Sequence, residues 1–329
     1  MNSVLYMCAA KSSRTRQTAA AKPDPPPEPS AFDRAMHDLR HSPGAFPNIS
    51  ARWLFSALGV VLVAIVAFAW LALCLLYWQG SWQLLYHPRK DITRTPASVG
   101  LSYEPVHFAT TEAGVPQLFG WWLPATDSRL TVLYLHDAEG NLSETVDSLA
   151  ELNRLSLSVL AFDYRGYGQS APARPSEKGL LEDATSAIDW LILTRHVSPG
   201  NIVVYGSRLG ANLALLIAAN RSELAGVILD QPVQDALRRV FGDPRSKLVP
   251  AHTLVRDRYD LMRPATALTI PSLWLIPQAS GSGPAIPPSA YGKVNAAKTV
   301  VILQAPIQAD PSYGASLRRW LDDLPHEQP

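Results

Sequence analysis

The chain has 329 residues and a formal net charge of +1 at pH 7, so its overall charge gives no reason to expect a nucleic-acid or polyacidic partner. Its two cysteines, Cys8 and Cys74, both precede residue 80, which excludes a disulfide framework for the C-terminal part. No cysteine or histidine cluster has the spacing of metal ligands, and we predict neither a metal site nor a cofactor.

The first 50 residues are rich in Ala, Pro, Ser and Arg, and they include the polyproline-type stretch KPDPPPEPS at 22–30. Such a composition cannot bury enough apolar surface to form a core. We therefore predict a disordered cytoplasmic tail over 1–50, in which 35–41 is compatible with a short helix.

A long apolar segment follows the tail, and no Asp, Glu, Lys or Arg occurs between Arg52 and Arg89. A helix over its apolar run, Trp53 to Trp78, would measure about 39 Å, which is enough to span a bilayer with some tilt. The run is apolar on all sides and about fifty polar residues precede it, so a buried core helix or a cleaved signal peptide fits less well. The interfacial aromatic side chains at its ends are Trp53, Tyr77, Trp78 and Trp82. We predict one transmembrane helix over 51–79.

The basic residues on either side of this helix predict its orientation. The preceding ones are Lys11, Arg14, Arg16, Lys22, Arg34, Arg40 and Arg52, and the following ones are Arg89, Lys90 and Arg94. Because the side with more Lys and Arg stays in the cytoplasm, we predict a single-pass membrane protein with a cytoplasmic N-terminus. Its C-terminal domain is then extracytoplasmic.

From about residue 100 onward, apolar strand patterns alternate with helical patterns. The predicted strands cover 104–111, 117–124, 130–137, 158–166, 201–206, 226–230, 272–277 and 299–304. The predicted helices cover 143–155 (with Ser143 as its N-cap), 176–196, 209–220 and 312–324.

Continuously apolar strands must be covered on both faces, and helices of ten or more residues between them supply that cover. We therefore predict an α/β fold with a doubly wound, mostly parallel sheet over 80–329. Residues 231–268 interrupt the alternation, and we interpret them as a helical cap over the open edge of the sheet.

The segment VVYGSRLGANLALL at 203–216 is predicted to run from a buried strand through a tight turn into an apolar helix. This is the form of a nucleophile elbow, in which Gly-x-Ser-x-Gly lifts a serine above the sheet. The elbow residues here are Gly206, Ser207, Arg208, Leu209 and Gly210. The middle position is therefore an arginine, and the serine stands one position too early.

Four motifs of the C-terminal part are LLYHPRK, GWWLPA, DYRGYGQS at 163–170 and PSEKGLLEDATSAIDWL at 175–191. Through them, about residues 80–324 resemble the α/β-hydrolase superfamily, in particular its membrane-anchored branch of serine-aminopeptidase-like or lipase-like hydrolases. The resemblance implies a helical cap and serine-hydrolase chemistry on ester, thioester or peptide bonds. It also implies that Asp163 and Arg165 are buried structural partners and not catalysts.

The positions that are catalytic in this family hold other residues here. The nucleophile position holds Arg208, and the position of the catalytic histidine holds Gln308. The stretch that matches the family's acid, 277–288, contains no Asp or Glu. The oxyanion loop, usually His-Gly-Asn-x-Gly-Asn, here begins with His136, Asp137, Ala138 and Glu139.

We predict from these changes that the protein is catalytically degenerate and acts by binding a ligand or partner. Arginine stays protonated and has no lone pair with which to attack an acyl carbon, and glutamine cannot act as a base. The alternative is an active serine hydrolase that uses Ser207 with a non-standard base. Asp230 could serve it as an acid, but His136 heads the oxyanion loop and His326 lies in the C-terminal tail. We expect Ser207 to cap the following helix instead.

Arg208 and the oxyanion loop have gained charges of opposite sign. We expect an ion pair of Arg208 with Asp137 or Glu139 to fill the former active site, because a partly buried, unpaired guanidinium is costly. The competing interpretation is that Arg208 and the helix N-terminus bind an anionic ligand, such as a carboxylate or phosphate group of a lipid or peptide. A scaffold in which only the tail and the membrane span act is a third hypothesis.

Overall fold

The computed structural model describes residues 28, 30–41, 50–278 and 284–324. The chain divides into two compact units, Met1–Ala64 and Ile65–Pro329. Most of the predicted tail lies outside the described residues, so its disorder stays a prediction. Within the tail, helix α1 covers Ala31–His41 and begins before the predicted residue 35. Ser30 Oγ accepts a hydrogen bond from the backbone N–H of Asp33 at 3.2 Å and so closes its first turn.

The predicted membrane helix is present as α2, Ala51–Gly80, and a 3₁₀ turn at Ser81–Leu84 continues it. Its apolar side chains are mostly exposed, including Leu58 and Phe68. At 1.5 Å per residue, its 30 residues extend about 45 Å. The segment is thus long and apolar enough to span a membrane.

The strands of the described residues after α2 are β1 His87–Pro88, β2 Glu104–Thr110, β3 Pro116–Leu123, β4 Thr131–Leu135, β5 Glu139–Gly140, β6 Ser158–Asp163, β7 Ile202–Ser207, β8 Gly226–Asp230, β9 Ser272–Gln278 and β10 Lys298–Gln304. Eight of them form one sheet with the order β10-β9-β8-β7-β4-β6-β3-β2. All neighbouring strands of this sheet run parallel, except that β3 is antiparallel to both β2 and β6. The short strands β1 and β5 pair separately. The predicted doubly wound, mostly parallel sheet is confirmed.

Helices cover both faces of this sheet. They are α3 Val146–Arg154, α4 Glu177–Leu193, α5 Leu209–Asn220, α6 Arg238–Gly242, α7 Ala251–Leu254, α8 Met262–Ala267 and α9 Tyr313–Asp322. Within β7, Val204 packs in the core layer that includes α4 and α5, whereas Val203 and Tyr205 pack in the layer that includes α3 and α9. Because successive side chains of a strand point to opposite faces, a continuously apolar strand fills both layers.

The predicted N-cap at Ser143 is wrong, because the helical segment begins earlier, with a 3₁₀ turn at Leu142–Thr145 that leads into α3. Asn141 Oδ1 accepts from the N–H of Ser143 at 2.8 Å, and Glu144 Oε2 accepts from the N–H of Asn141 at 2.8 Å. This reciprocal capping box satisfies two backbone N–H groups at the start of the turn. Ser143 Oγ instead accepts from the N–H of Thr93 at 2.8 Å.

The predicted cap, residues 231–268, contains α6, α7 and α8. Helix α8 packs on α5, and α6 packs on Ser81–Leu84. Asn212 of α5 donates to the carbonyl oxygens of Val233 and Tyr259 at 2.9 Å each, which ties both halves of the cap to that helix. The cap therefore contacts α5 and the Ser81–Leu84 turn, and its placement over the open edge of the sheet stays a prediction.

Candidate active site

The carboxyl ends of three parallel strands bring the predicted site residues together. Leu135 of β4 pairs with Gly206 of β7, and Ser207 of β7 pairs with Asp230 of β8. The segments that leave these strands therefore begin side by side at one edge of the sheet. In doubly wound folds this edge is where ligands bind.

The turn between β7 and α5 has the strained backbone of a nucleophile elbow. Arg208 has φ 53° and ψ −112°, a conformation that costs a non-glycine residue energy. A Cβ on Gly206 would overlap the backbone of Gly210, and a Cβ on Gly210 would overlap the carbonyl of Leu135. Both glycines are thus required for close packing of strand and helix, whichever residue stands between them.

The predicted ion pair forms, and its partner is Asp137. Arg208 Nε donates to Asp137 Oδ2 at 2.8 Å. Glu139 is exposed, and its backbone belongs to β5, paired with His87 of β1. The Arg208 side chain remains 57% exposed, and within the part of the chain that the structure describes its two terminal nitrogens have no hydrogen-bond acceptor.

The second oxygen of Asp137 accepts from two backbone N–H groups beside the elbow. Asp137 Oδ1 accepts from the N–H of Leu209 at 3.1 Å and from the N–H of Ala138 at 2.7 Å. In α/β-hydrolases the oxyanion hole consists of the N–H after the nucleophile and an N–H from the loop after the matching strand, at about 2.7–3.1 Å. The carboxylate of Asp137 thus occupies both donors.

This arrangement overturns the expected role of Ser207 as the cap of α5. The N-cap residue is Arg208, which makes no side-chain cap bond. Asp137 reaches the first turn from the neighbouring loop and accepts from Leu209, and its negative charge suits a helix N-terminus. The Ser207 hydroxyl instead lies beside the Tyr134 side chain.

Gln308, at the position of the family's histidine, contacts the acid that we considered for Ser207. Its Nε2 donates to Asp230 Oδ2 at 3.1 Å. The same oxygen accepts from the Tyr205 hydroxyl at 2.8 Å, and Oδ1 accepts from Gln231 Nε2 at 3.1 Å. Burial raises the pKa of Asp230 to about 6, although these donors oppose the shift. An amide thus holds the place of an imidazole beside a buried carboxylate, but it cannot accept a proton.

His136, one of the bases considered for Ser207, makes other contacts. It is buried between the rings of Tyr164 and Tyr167, and its Nδ1 donates to the Asp137 carbonyl at 2.6 Å. Its Nε2 has no hydrogen-bond partner and lies 3.8 Å from Asp163 Oδ1. Burial lowers the pKa of His136 to about 4, so the ring is neutral at pH 7. His326, the other histidine considered as a base, lies outside the described residues.

Asp163 and Arg165 are both structural, but they do not pair with each other. Buried Asp163 accepts from the N–H of Leu142 at 3.0 Å, and burial raises the pKa of its carboxyl to about 7. Arg165 contacts two carboxylates of α4, those of Asp183 and Glu182. The segment DYRGYGQS therefore connects the loop after β6 to the turn before α3 and to α4.

Arg208 lines three adjoining cavities. One of about 210 Å³ is lined by basic groups of His87, Arg238 and Arg239 as well. A second of about 460 Å³ reaches Ser207 and Gln308. A third of about 630 Å³ has apolar walls that include Ile276, Ile286 and Pro287. Sequence analysis missed His87, Arg238 and Arg239, because they lie outside every catalytic motif.

The comparisons with known proteins agree with this fold. The model of the family described as serine aminopeptidase, S33, matches residues 126–276. The uncharacterized protein Rv2307c of Mycobacterium tuberculosis is 32% identical over 227 residues, which are 68% of this chain and 78% of that protein. The alpha/beta hydrolase domain-containing protein 17C of Mus musculus is 36% identical over 122 residues, 37% of this chain and 38% of that one.

Among solved structures, the esterase Pf2001 of Pyrococcus furiosus has a TM-score of 0.55. It is 19% identical, over 72% of this chain and 99% of the esterase, so the likeness concerns the fold alone. The elbow, the sheet order and these relatives together establish the family. The chain belongs to the α/β-hydrolase superfamily, in which it matches the serine aminopeptidase S33 family.

Proposed function

We propose that this protein is a membrane-anchored α/β-hydrolase-fold protein that has no hydrolase activity and binds an anionic ligand at Arg208. One observation supports the proposal above all others. The carboxylate of Asp137 accepts from Leu209 and Ala138, the two N–H groups that would stabilise an oxyanion, and pairs with Arg208 in the place of the nucleophile.

Loss of hydrolysis follows from charge and protonation. Any tetrahedral intermediate would place negative charge beside an existing carboxylate and would find its two donors already engaged. Gln308 cannot take a proton from a hydroxyl, and Ser207 faces Tyr134 and not a histidine. The alternative, an active hydrolase that uses Ser207, requires Ser207 to react with a probe for activated serines.

The same ion pair leaves room for a ligand. Asp137 accepts from Nε of Arg208, which leaves the two terminal nitrogens of the guanidinium for a ligand. Guanidinium groups bind carboxylates and phosphates with two parallel hydrogen bonds. Arg238 and Arg239 line the same cavity as further guanidinium donors, together with the carboxylates of Asp137, Glu139 and Asp235. The same arginine thus forms the ion pair with Asp137 and is proposed to bind the anionic ligand.

The membrane anchor in this proposal is α2. Its length and exposed apolar surface support a single span, and the excess of Lys and Arg before it supports a cytoplasmic N-terminus. The domain with the Arg208 site is then extracytoplasmic.

A fluorophosphonate probe, which modifies activated serines, tests the loss of hydrolysis on the full chain in detergent. We expect no adduct on wild-type protein that shows a normal thermal transition. An adduct that maps to Ser207 and disappears in Ser207→Ala would contradict the proposal and favour the active hydrolase.

Hexyl phosphate, a soluble phosphate monoester, tests the anion site. We expect it to raise the melting temperature of the wild-type protein and to have no effect on Arg208→Gln. Arg129→Gln is the matched control, because Arg129 is an exposed arginine remote from the elbow, and it should respond as the wild type does. An equal response of Arg208→Gln would rule out Arg208 as the ligand's partner.

A further inference from the structure

The cap packs directly on the C-terminal half of α2. Trp70 Nε1 donates to the carbonyl of Leu248 at 3.0 Å, and the Tyr77 hydroxyl donates to the carbonyl of Val240 at 2.9 Å. The residues buried in this contact are Cys74, Tyr77, Leu237, Val240, Val249, Ala251 and Val255. We call residues 238–256, which include this contact, the cap face.

The contact at Trp70 determines the depth of the cap face relative to a bilayer. A hydrocarbon core about 30 Å thick requires about 20 helical residues. Every window of that length within the apolar run from Trp53 to Trp78 contains residue 70. The backbone at Leu248 therefore lies at or below the boundary of the hydrocarbon core, wherever the bilayer is centred on the run.

The composition of the cap face suits a bilayer interface. The basic residues are Arg238, Arg239, Arg245, Lys247 and Arg256, all of them exposed, and Asp243 is the one acidic residue. Leu248 is 62% exposed between them. Apolar side chains with surrounding Lys and Arg are typical of segments that lie 5–10 Å deep in the headgroup region and prefer anionic lipids.

We propose that the cap face is a second membrane-contact surface, which inserts Leu248 and binds the headgroups of anionic phospholipids. The proposal rests on the membrane span proposed for α2. Arg238 and Arg239 belong both to the cap face and to the cavity of Arg208. The cap face therefore adjoins that cavity through these two arginines.

Spin-label accessibility tests the depth of the cap face on the full chain in phosphatidylcholine vesicles with and without phosphatidylglycerol. Single cysteines replace Leu248, Leu62 and Val115 in a Cys8→Ser background. Buried Cys74 is retained, and the chain without an added cysteine provides the blank. Position 62 reports the span, and position 115 reports an exposed loop.

We expect labels at 62 and 248 to be accessible to oxygen and shielded from a water-soluble nickel complex, and the label at 115 to show the reverse. A label at 248 in water with a label at 62 in lipid would overturn the cap-face proposal alone. Labels at 62 and 248 both in water would instead overturn the proposed span.

Lipid selection is tested with the same label at 248. Phosphatidylglycerol should increase its shielding from the nickel complex, and Arg239→Gln with Lys247→Gln should abolish that increase. Arg318→Gln, an exposed arginine of α9, is the control and should leave the increase unchanged. Equal shielding in the two lipid mixtures for the wild-type protein would contradict anionic headgroup binding.

Discussion

Three side chains at the elbow support the proposal that this protein is not an active serine hydrolase. Arg208 adopts the elbow conformation in place of a serine, Asp137 engages the two oxyanion donors, and Gln308 contacts Asp230. In this proposal, each of the three positions differs from the family only in its side chain. Replacing the three side chains with the family's residues therefore tests the proposal.

The variant Asp137→Gly, Arg208→Ser, Gln308→His should gain reactivity with a fluorophosphonate probe. It frees the N–H groups of Leu209 and Ala138, supplies the nucleophile and places an imidazole where Asp230 can orient it. Because a positioned base typically contributes 10²–10⁴-fold, we expect labelling on the order of 10²-fold faster than for Asp137→Gly, Arg208→Ser, which lacks the introduced histidine. The same variant with Arg208→Ala should not react. Reaction in both would place the nucleophile elsewhere.

Asp230 should make the stability of the domain depend on pH. Its pKa rises from 3.8 to about 6 on folding because of burial, so the folded state binds the proton more tightly. The contribution of Asp230 to stability then falls as the pH rises from about 4 to about 6 and is constant above that range, a loss on the order of 3 kcal/mol. Buried Asp163 and His136 also have shifted pKa values and add their own dependence on pH. Asp230→Asn should remove the Asp230 contribution alone, so its melting temperature should fall less, or rise more, with pH over this window than that of the wild type. Glu112→Gln, at an exposed turn, should retain the wild-type slope.

At the scale of elements, the elbow depends on how closely β7 and α5 approach each other. The carbonyl of Leu135 and the backbone of Gly210 fill the space in which side chains would stand at Gly210 and Gly206. Packing alone therefore requires both glycines, and the elbow by itself does not indicate catalysis.

Gly206→Ala should prevent folding, because the new methyl overlaps backbone atoms that cannot move without separating strand and helix. We expect a loss of more than about 4 kcal/mol, seen as absence of a cooperative melting transition. Gly242→Ala is the matched control, since nothing lies within 4 Å of the added methyl, and it should melt as the wild type does. A normal transition for Gly206→Ala would mean that the elbow is looser than described.

At the scale of the whole molecule, the apolar helix and the hydrolase-fold domain have different surfaces. The exposed large apolar side chains include many of α2, whereas the sheet and its helices bury theirs. So much exposed apolar area on a single helix is typical of membrane or partner-contact surfaces. With the proposed span, the basic residues around α2 predict on which side of the membrane the domain lies.

Protease added to intact cells should degrade the domain after residue 80 and leave an epitope tag at the N-terminus protected. Seven Lys and Arg before the span against three after it predict this orientation. Replacing four of the preceding basic residues by Gln should produce a mixed population. Degradation of the tag with protection of the domain would show the opposite orientation. Lysed cells, in which both parts are digested, provide the control.

The sequence by itself determined the long apolar helix, the order of strands and helices, the elbow and the residues at the positions that the resemblance assigns to catalysis. These depend on composition, on periodicity and on spacing within short segments. Tertiary structure decided which side chains meet: Asp137 and not Glu139 binds Arg208, and Gln308 meets Asp230 across 78 positions. The physical reason is that such contacts depend on strand register and loop direction. Glu139 is held in β5, while Asp137 stands beside the N-terminus of α5.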